Sequence, residues 1–323
     1  MAQEKDEPAA PAATRPISLR LGIEVLRGIA QVDFLPSAVC GLLFVAALFA
    51  AGWQYGVYGL LGSVVGTGTA YGLQLAPAAV GAGLHGYNGC LVALSCAVFL
   101  DPGHPATLVV AVLGAVVSVV LTAGLTTLLA ARRLPVLTEP FCLVATATTA
   151  AAPGFRQLWH GAPTPAALPL PATGPTGPTW DQLWHGFFAN IGQIFFMSQW
   201  YVGLLFLAGL LAASRLAALT ACAGSATSLV TAWALGAPAE AVGEGLLGYN
   251  GVLVAMALCG VFVAPGAWSA AYALLGAVAA TVLTPAIDAV AAPFGSHAFT
   301  WPFVVTTVLF LAAVPAVPWL RRI

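Results

Sequence analysis

GYNGCLVAL at residues 86–94 returns as GYNGVLVAM at residues 248–256, and this recurrence decides how the chain is read. Two further segments return at the same interval. LRGIAQVDF (26–34) answers FANIGQIFF (188–196), and TEPF (138–141) answers TWPF (300–303). Each pair is 162 residues apart. Apolar segments resemble one another by chance, but not at one fixed offset through polar and glycine positions spread from Gln31 to Thr138. The chain is read as an internal duplication.

Composition gives the setting for that duplication. The 323 residues are 60% hydrophobic and only 7% charged, with a mean hydropathy of +0.94. Soluble domains carry about 25% charged residues. Too few charges remain to cover a water-soluble particle, which excludes an ordinary soluble enzyme. A net charge of −1 gives no basic footprint for nucleic acid. Long apolar runs, rather than ten-residue alternating segments, point to membrane helices and not a barrel. Cys40, Cys90, Cys96, Cys142, Cys222 and Cys259 each sit in an apolar run without a CxxC pair, so they read as small packing residues. No disulfide framework, metal site or cofactor is expected. Residues 1–16, polar and rich in Ala and Pro, lack an apolar signal core and read as a disordered cytoplasmic tail.

A bilayer core of about 30 Å needs roughly 20 apolar residues per helix. Ten spans are expected: 36–53, 56–75, 84–100, 106–130 and 138–152, then 198–213, 216–235, 246–264, 268–290 and 300–320. The stretch 14–34 carries Arg20, Glu24, Arg27 and Asp33 and is too charged to span, so it should be interfacial or re-entrant. The Pro- and Gly-rich segment 153–181 reads as one long extracytoplasmic loop. With the N-terminus in the cytoplasm, Lys5, Arg15, Arg20, Arg27, Arg132, Arg133, Arg215, Arg321 and Arg322 fall inside and only Arg156 outside. Both termini are therefore expected in the cytoplasm. The expected organisation is a first repeat over 17–152, the loop over 153–181 and a second repeat over 182–323. Five spans per copy is an odd number, so the second copy enters from the opposite side. The result is an inverted repeat, which places a solute site at the repeat interface near mid-membrane.

Polar and aromatic residues present in both copies are the candidates for that site. Gln31 and Gln193 either bond across helices or face the pathway, and Phe34 and Phe196 lie one turn further on. Asn88 and Asn250 read as helix-start caps, with Gly89 and Gly251 allowing close packing. The phenols of Tyr87 and Tyr249 need a hydrogen-bond partner or a wet surface. Leu91 and Leu253 sit one turn below them. In TEPF and TWPF the proline either kinks a helix or frees carbonyls beside the hydroxyls of Thr138 and Thr300. An uncharged, oxygen-rich, aromatic pathway suits a small, flat, neutral hydrogen-bond donor such as urea. No charged position is duplicated: Glu139 pairs with Trp301 and Glu244 with Ala82. None of the five histidines is duplicated either, and His85 reads as a locally bonded helix-end residue. Glu139 could face a vestibule, pair with Arg132 or Arg133, or be protonated, with proton coupling as an open role. Asp33, Asp101, Glu240 and Asp288 read as solvated residues at span ends.

At these residues the sequence resembles the urea transporter family, the channel-type transporters of bacteria and vertebrates. LPVLTEPF (134–141) matches the family's L-P-x-x-T-x-P-F signature at every fixed position, and AFTWPF (298–303) keeps its T-x-P-F portion. YNG-x-L occurs twice where the family has aromatic-Asn-Gly-x-Leu. The resemblance implies an all-α membrane protein: ten transmembrane helices in two inverted five-helix repeats, with short re-entrant pore helices. It also implies a homotrimer in the cell inner membrane, each protomer holding its own pore. By resemblance, Thr138 and Thr300 contribute filter hydroxyls, and Gln31 and Gln193 are acceptors at the filter ends. Phe34, Tyr87, Phe196 and Tyr249 are the rings that sandwich urea, and Leu91 and Leu253 narrow the middle. The expected function is passive, selective urea transport, with membrane lipid and urea as the partners. The alternatives are an ion-coupled transporter of short amides or ammonia, a membrane enzyme and a non-transporting scaffold. The enzyme would need a clustered catalytic set that the sequence does not display.

Overall fold

The computed structural model describes residues 16–158 and 173–323. The expected tail over 1–16 lies outside the described residues except for Pro16, and so does the middle of the loop over 153–181. The first part of the chain forms α1 (Ile17–Ala30), α2 (Ala38–Ala51), α3 (Trp53–Gly72), α4 (Pro77–Gly81), α5 (Tyr87–Phe99), α6 (Pro105–Ala130) and α7 (Glu139–Ala151). The second forms α8 (Trp180–Gly192), α9 (Trp200–Ala213), α10 (Arg215–Ala234), α11 (Ala239–Gly243), α12 (Tyr249–Met256), α13 (Ala267–Ala291) and α14 (Trp301–Ala313). Among the described residues the one extended pairing is an isolated bridge between Val263 and Arg322.

Helix α1 explains how a charged segment sits in an apolar protein. Residues Ile17, Leu19 and Leu21 are exposed while Val25 and Ile29 are buried, so the helix enters the protein along its length, its first turns outside and its last turns in the core. Its buried acid is partnered: Arg20 Nε donates to Glu24 Oε1 at 2.9 Å, and the Tyr71 hydroxyl donates to Glu24 Oε2 at 2.5 Å. Arg27 donates to the Gly81 carbonyl at 2.8 Å. A tight turn over Gln31–Asp33 follows, and Phe34 then takes φ 64°. A left-handed residue cannot continue a right-handed helix, so α2 leaves with a bend of 78°. The second half does the same. The turn Gln193–Phe195 ends at Phe196 with φ 65°, and α8 meets α9 at 73°. Glycine lets each bent pair fold closely: a Cβ on Gly41 would strike the Leu26 carbonyl, and one on Gly203 the Phe188 carbonyl.

Span lengths differ from the expectation. Among the described residues three helices are long and apolar enough to cross a bilayer alone: α6, α10 and α13 with its following turn, Ala267–Phe294. Counting each bent pair as one span gives up to five. Helices α5, α7 and α14 have 13 residues each, about 20 Å of helix, where ten full spans would need about 30 Å apiece. The apolar runs continue beyond these helices as turns and extended backbone, which hydropathy does not register.

The 162-residue interval persists in the backbone. Left-handed φ values occur at Phe34 and Phe196, Gln74 and Gly236, Gly83 and Gly245, Arg133 and Gly295, and Leu137 and Phe299. One apolar core takes side chains from both halves. At its centre α2 meets α9, with Phe44 against Phe195 and Phe206 at ring-centroid distances of 5.4 and 4.8 Å. The backbones of the halves diverge after the counterpart helices α5 and α12. Helix α5 runs unbroken to Phe99, whereas α12 passes into a wide turn over Ala257–Val261 in which Cys259 and Gly260 leave helical geometry.

Candidate functional site

The site is built around the starts of α7 and α14. Pro140 and Pro302 stand in the first turn of these helices, where no intrahelical donor is lost. The expectation of a helical turn freed by proline is therefore corrected. The oxygen-bearing backbone comes from non-helical segments before the helices, ending at Leu137 with φ 52° and Phe299 with φ 44°. Side chains from α5 and α12 fix both segments. The Tyr87 hydroxyl donates to the Leu137 carbonyl at 2.5 Å, and Tyr249 donates to the Phe299 carbonyl at 2.6 Å. The asparagines do not cap their own helices, which is a second correction. Asn88 Oδ1 accepts from the Phe141 amide at 3.2 Å, and Asn250 Oδ1 accepts from the Phe303 amide at 3.2 Å. Each caps the helix that starts about fifty residues later, because tertiary folding presents that orphan amide to it. Gly89 and Gly251 do pack closely, against the Gly62 carbonyl and the Ser228 hydroxyl.

Capping in this way brings Thr138 and Thr300 together. Their hydroxyl oxygens lie 2.6 Å apart, both buried, and Cys142 Sγ lies 3.1 Å from Thr300 Oγ1. Trp301, which stands where the first half has Glu139, donates through Nε1 to Thr146 Oγ1 at 3.1 Å. Two cavities adjoin the pair: Thr138 lines the first, and Phe299, next to Thr300, lines the second. The first, about 370 Å³, is lined by Gln31, Phe34, Tyr87 and the segment from Leu134 to Thr138. The second, about 410 Å³, is lined by Gln193, Phe196, Tyr249, His297 and Phe299. Gln31 donates through Nε2 to the Ala82 carbonyl and Gln193 to the Glu244 carbonyl, both at 2.9 Å. Each amide oxygen is left as an acceptor on a cavity wall. The rings cross between halves: Phe34 meets Phe303, and Phe196 meets Phe141, each at 6.0 Å.

Seven of the ten expected site residues thus line the two cavities, and Thr300 touches one of them, Thr138. Leu91 and Leu253 line neither cavity and are fully buried in the core. The cavity walls are not identical. Thr126 and His85 stand in the first where Asp288 and Leu247 stand in the second. Asp288 accepts from the Ala298 amide at 3.1 Å, and His297 stacks on Phe99 at 4.2 Å.

Three further expectations need adjustment. His85 is not bonded locally: it lines the first cavity and its buried Nδ1 has no partner. Glu139 forms no ion pair with Arg132 or Arg133; the pairs among the described residues are Arg20–Glu24 and His185–Asp181. Asp33 is not solvated, being 1% exposed. Sequence reading also missed Cys142 as a neighbour of the threonine pair. Its one visible signal is its position, a helical turn after Thr138.

Comparison with known proteins adds a separate line. A family model described as "Urea transporter" matches residues 23–315. Urea transporter 1 of Ovis aries is 31% identical over 299 residues, covering 92% of this chain and 78% of that protein. Urea transporter 1 of Rattus norvegicus is 30% identical over 315 residues, covering 95% and 81%.

Proposed function

Because the chain belongs to the urea transporter family, we propose that it carries urea passively and selectively across the membrane through a pore within each protomer. The observation that carries this reading is the 2.6 Å contact between Thr138 and Thr300 beside two cavities that carry paired glutamine, phenylalanine and tyrosine residues. Urea is planar, has four N–H donors and one carbonyl, and loses its hydration shell in so apolar a passage. A polar group left unsatisfied in hydrocarbon costs several kcal/mol. Gln31 and Gln193 offer amide oxygens at the two entrances, and the threonine hydroxyls offer lone pairs and a proton between them. When urea reaches the pair, the threonine–threonine bond is exchanged for bonds to urea, so no donor or acceptor is stranded. Phe34, Tyr87, Phe196 and Tyr249 present ring faces that admit a flat solute. No bond of urea is made or broken.

The architecture proposed with this function is ten membrane-crossing segments in two five-helix halves of opposite orientation. Residues 17–152 form one half, 182–323 the other and 153–181 the connection outside. The paired hydrogen bonds and left-handed residues at one interval support it. Both termini and the first cavity face the cytoplasm in this reading, which the arginine distribution supports. Family resemblance supports three such protomers in the cell inner membrane, surrounded by lipid. Stopped-flow urea uptake into proteoliposomes tests the function, run with and without a pH gradient and against acetamide and ammonia. Urea flux that follows its own gradient and ignores an uncoupler is expected; flux that collapses with the uncoupler contradicts a passive channel.

A further inference from the structure

A third cavity, about 270 Å³, lies beside the path and shares Phe34 with the first cavity's wall. Its wall carries Asp33, both of whose carboxylate oxygens are buried without a partner. An isolated carboxylate in an apolar protein is costly unless an opposite charge meets it. The lining contains no basic side chain. It does contain oxygen: the Ser214 and Thr220 hydroxyls and the backbone of Cys259 and Gly260, where the α12 continuation unwinds. Thr220 Oγ1 donates its proton to the Leu216 carbonyl at 2.9 Å, so its lone pairs remain for a cation.

The counterpart positions, 162 residues away, argue that this arrangement is specific. The counterpart of Asp33 is Phe195, packed against Phe44 and Phe206. The counterpart of the unwound turn is the unbroken end of α5. Asp33 from the first half and the opened helix from the second thus meet at one cavity, and neither has a like counterpart: Phe195 stands for the acid and an unbroken helix for the opened turn. Unwound helices that expose backbone oxygens are a recurrent way to hold small cations within membranes.

We infer that the Asp33 cavity is a binding site for a monovalent cation. One carboxylate balances one positive charge, and hydroxyl and carbonyl oxygens complete a hard-ligand shell. The inference does not rest on urea transport, because Asp33 lines neither of the paired cavities.

The test uses purified full-length protein with rubidium as the probe. Thermal unfolding is followed as rubidium chloride replaces N-methyl-D-glucamine chloride at constant ionic strength. Wild type should gain several degrees in Tm, and Asp33→Asn, which keeps the shape and removes the charge, should gain none. No shift in wild type, or an equal shift in the variant, overturns the site. Should Asp33→Asn fail to fold, anomalous diffraction from rubidium-grown wild-type crystals decides. A peak in the cavity beside the Asp33 carboxylate supports the site. An empty cavity at saturating rubidium, the signature of a merely protonated acid, overturns it.

Discussion

Asn88 joins three elements with one side chain. Its amide nitrogen reaches Thr122 on α6 and the Leu137 carbonyl, both at 3.4 Å, while its oxygen caps α7. Replacing Asn88 by Ala should strand the Phe141 amide and lower stability by about 1–2 kcal/mol, visible as a lower Tm in detergent. Tyr87→Phe should behave differently. It keeps the ring on the cavity wall and removes only the bond to Leu137, a loss of about 0.5–1.5 kcal/mol. Its urea flux in proteoliposomes should stay close to wild type, and a large loss would show that the hydroxyl itself handles solute. Both residues were visible in the sequence as repeated polar positions in an apolar run. Their partners were not, because a cap is ordinarily local and these act across about fifty residues of chain. Asp33 was misread for a related reason: a charge near a span end is usually solvated, and only the packing of α10 and α12 around it removes the water.

Elements are set by where helices stop rather than where apolar runs stop. Left-handed Phe34 and Phe196 end the first helix of each half, and Leu137 and Phe299 precede the start of the last. Hydropathy located the long helices within a few residues but gave no helix at α4, α8 or α11, and it counted α5, α7 and α14, each 13 residues, as full spans. The bent pairs depend on backbone contact at Gly41 and Gly203. Gly41→Ala should drive a methyl group into the Leu26 carbonyl, and backbone yields poorly. A loss of more than about 2 kcal/mol is expected, within the range of overpacked cores. Gly22→Ala is the control, since nothing lies within 4 Å of a Cβ there. Thermal unfolding of the three proteins checks this, with Gly22→Ala expected at or above wild type because alanine favours helix.

For the whole molecule, orientation is the physical question. The duplication was legible at three anchors, and the sequence parity argument turned it into opposed halves. Contact between the halves at Thr138 and Thr300 was not legible, since nothing in the chain order says that positions 162 residues apart touch. Leu73 and Leu235 are counterparts at the ends of α3 and α10, both exposed. In intact cells a membrane-impermeant maleimide should label Leu235→Cys but reach Leu73→Cys only after permeabilisation. Labelling of both from one side would make the halves parallel and remove the two-ended path.

The most direct measurement is urea flux through Thr138→Val, Thr300→Val and the double variant in proteoliposomes, each shown to be folded by its Tm. Losing one hydroxyl at a shared constriction should slow flux roughly tenfold, the factor that about 1.4 kcal/mol gives. The double variant should fall less than the product of the singles, because both hydroxyls act on one solute at one point. Wild-type flux in folded single and double variants would contradict a path that runs between these two threonines.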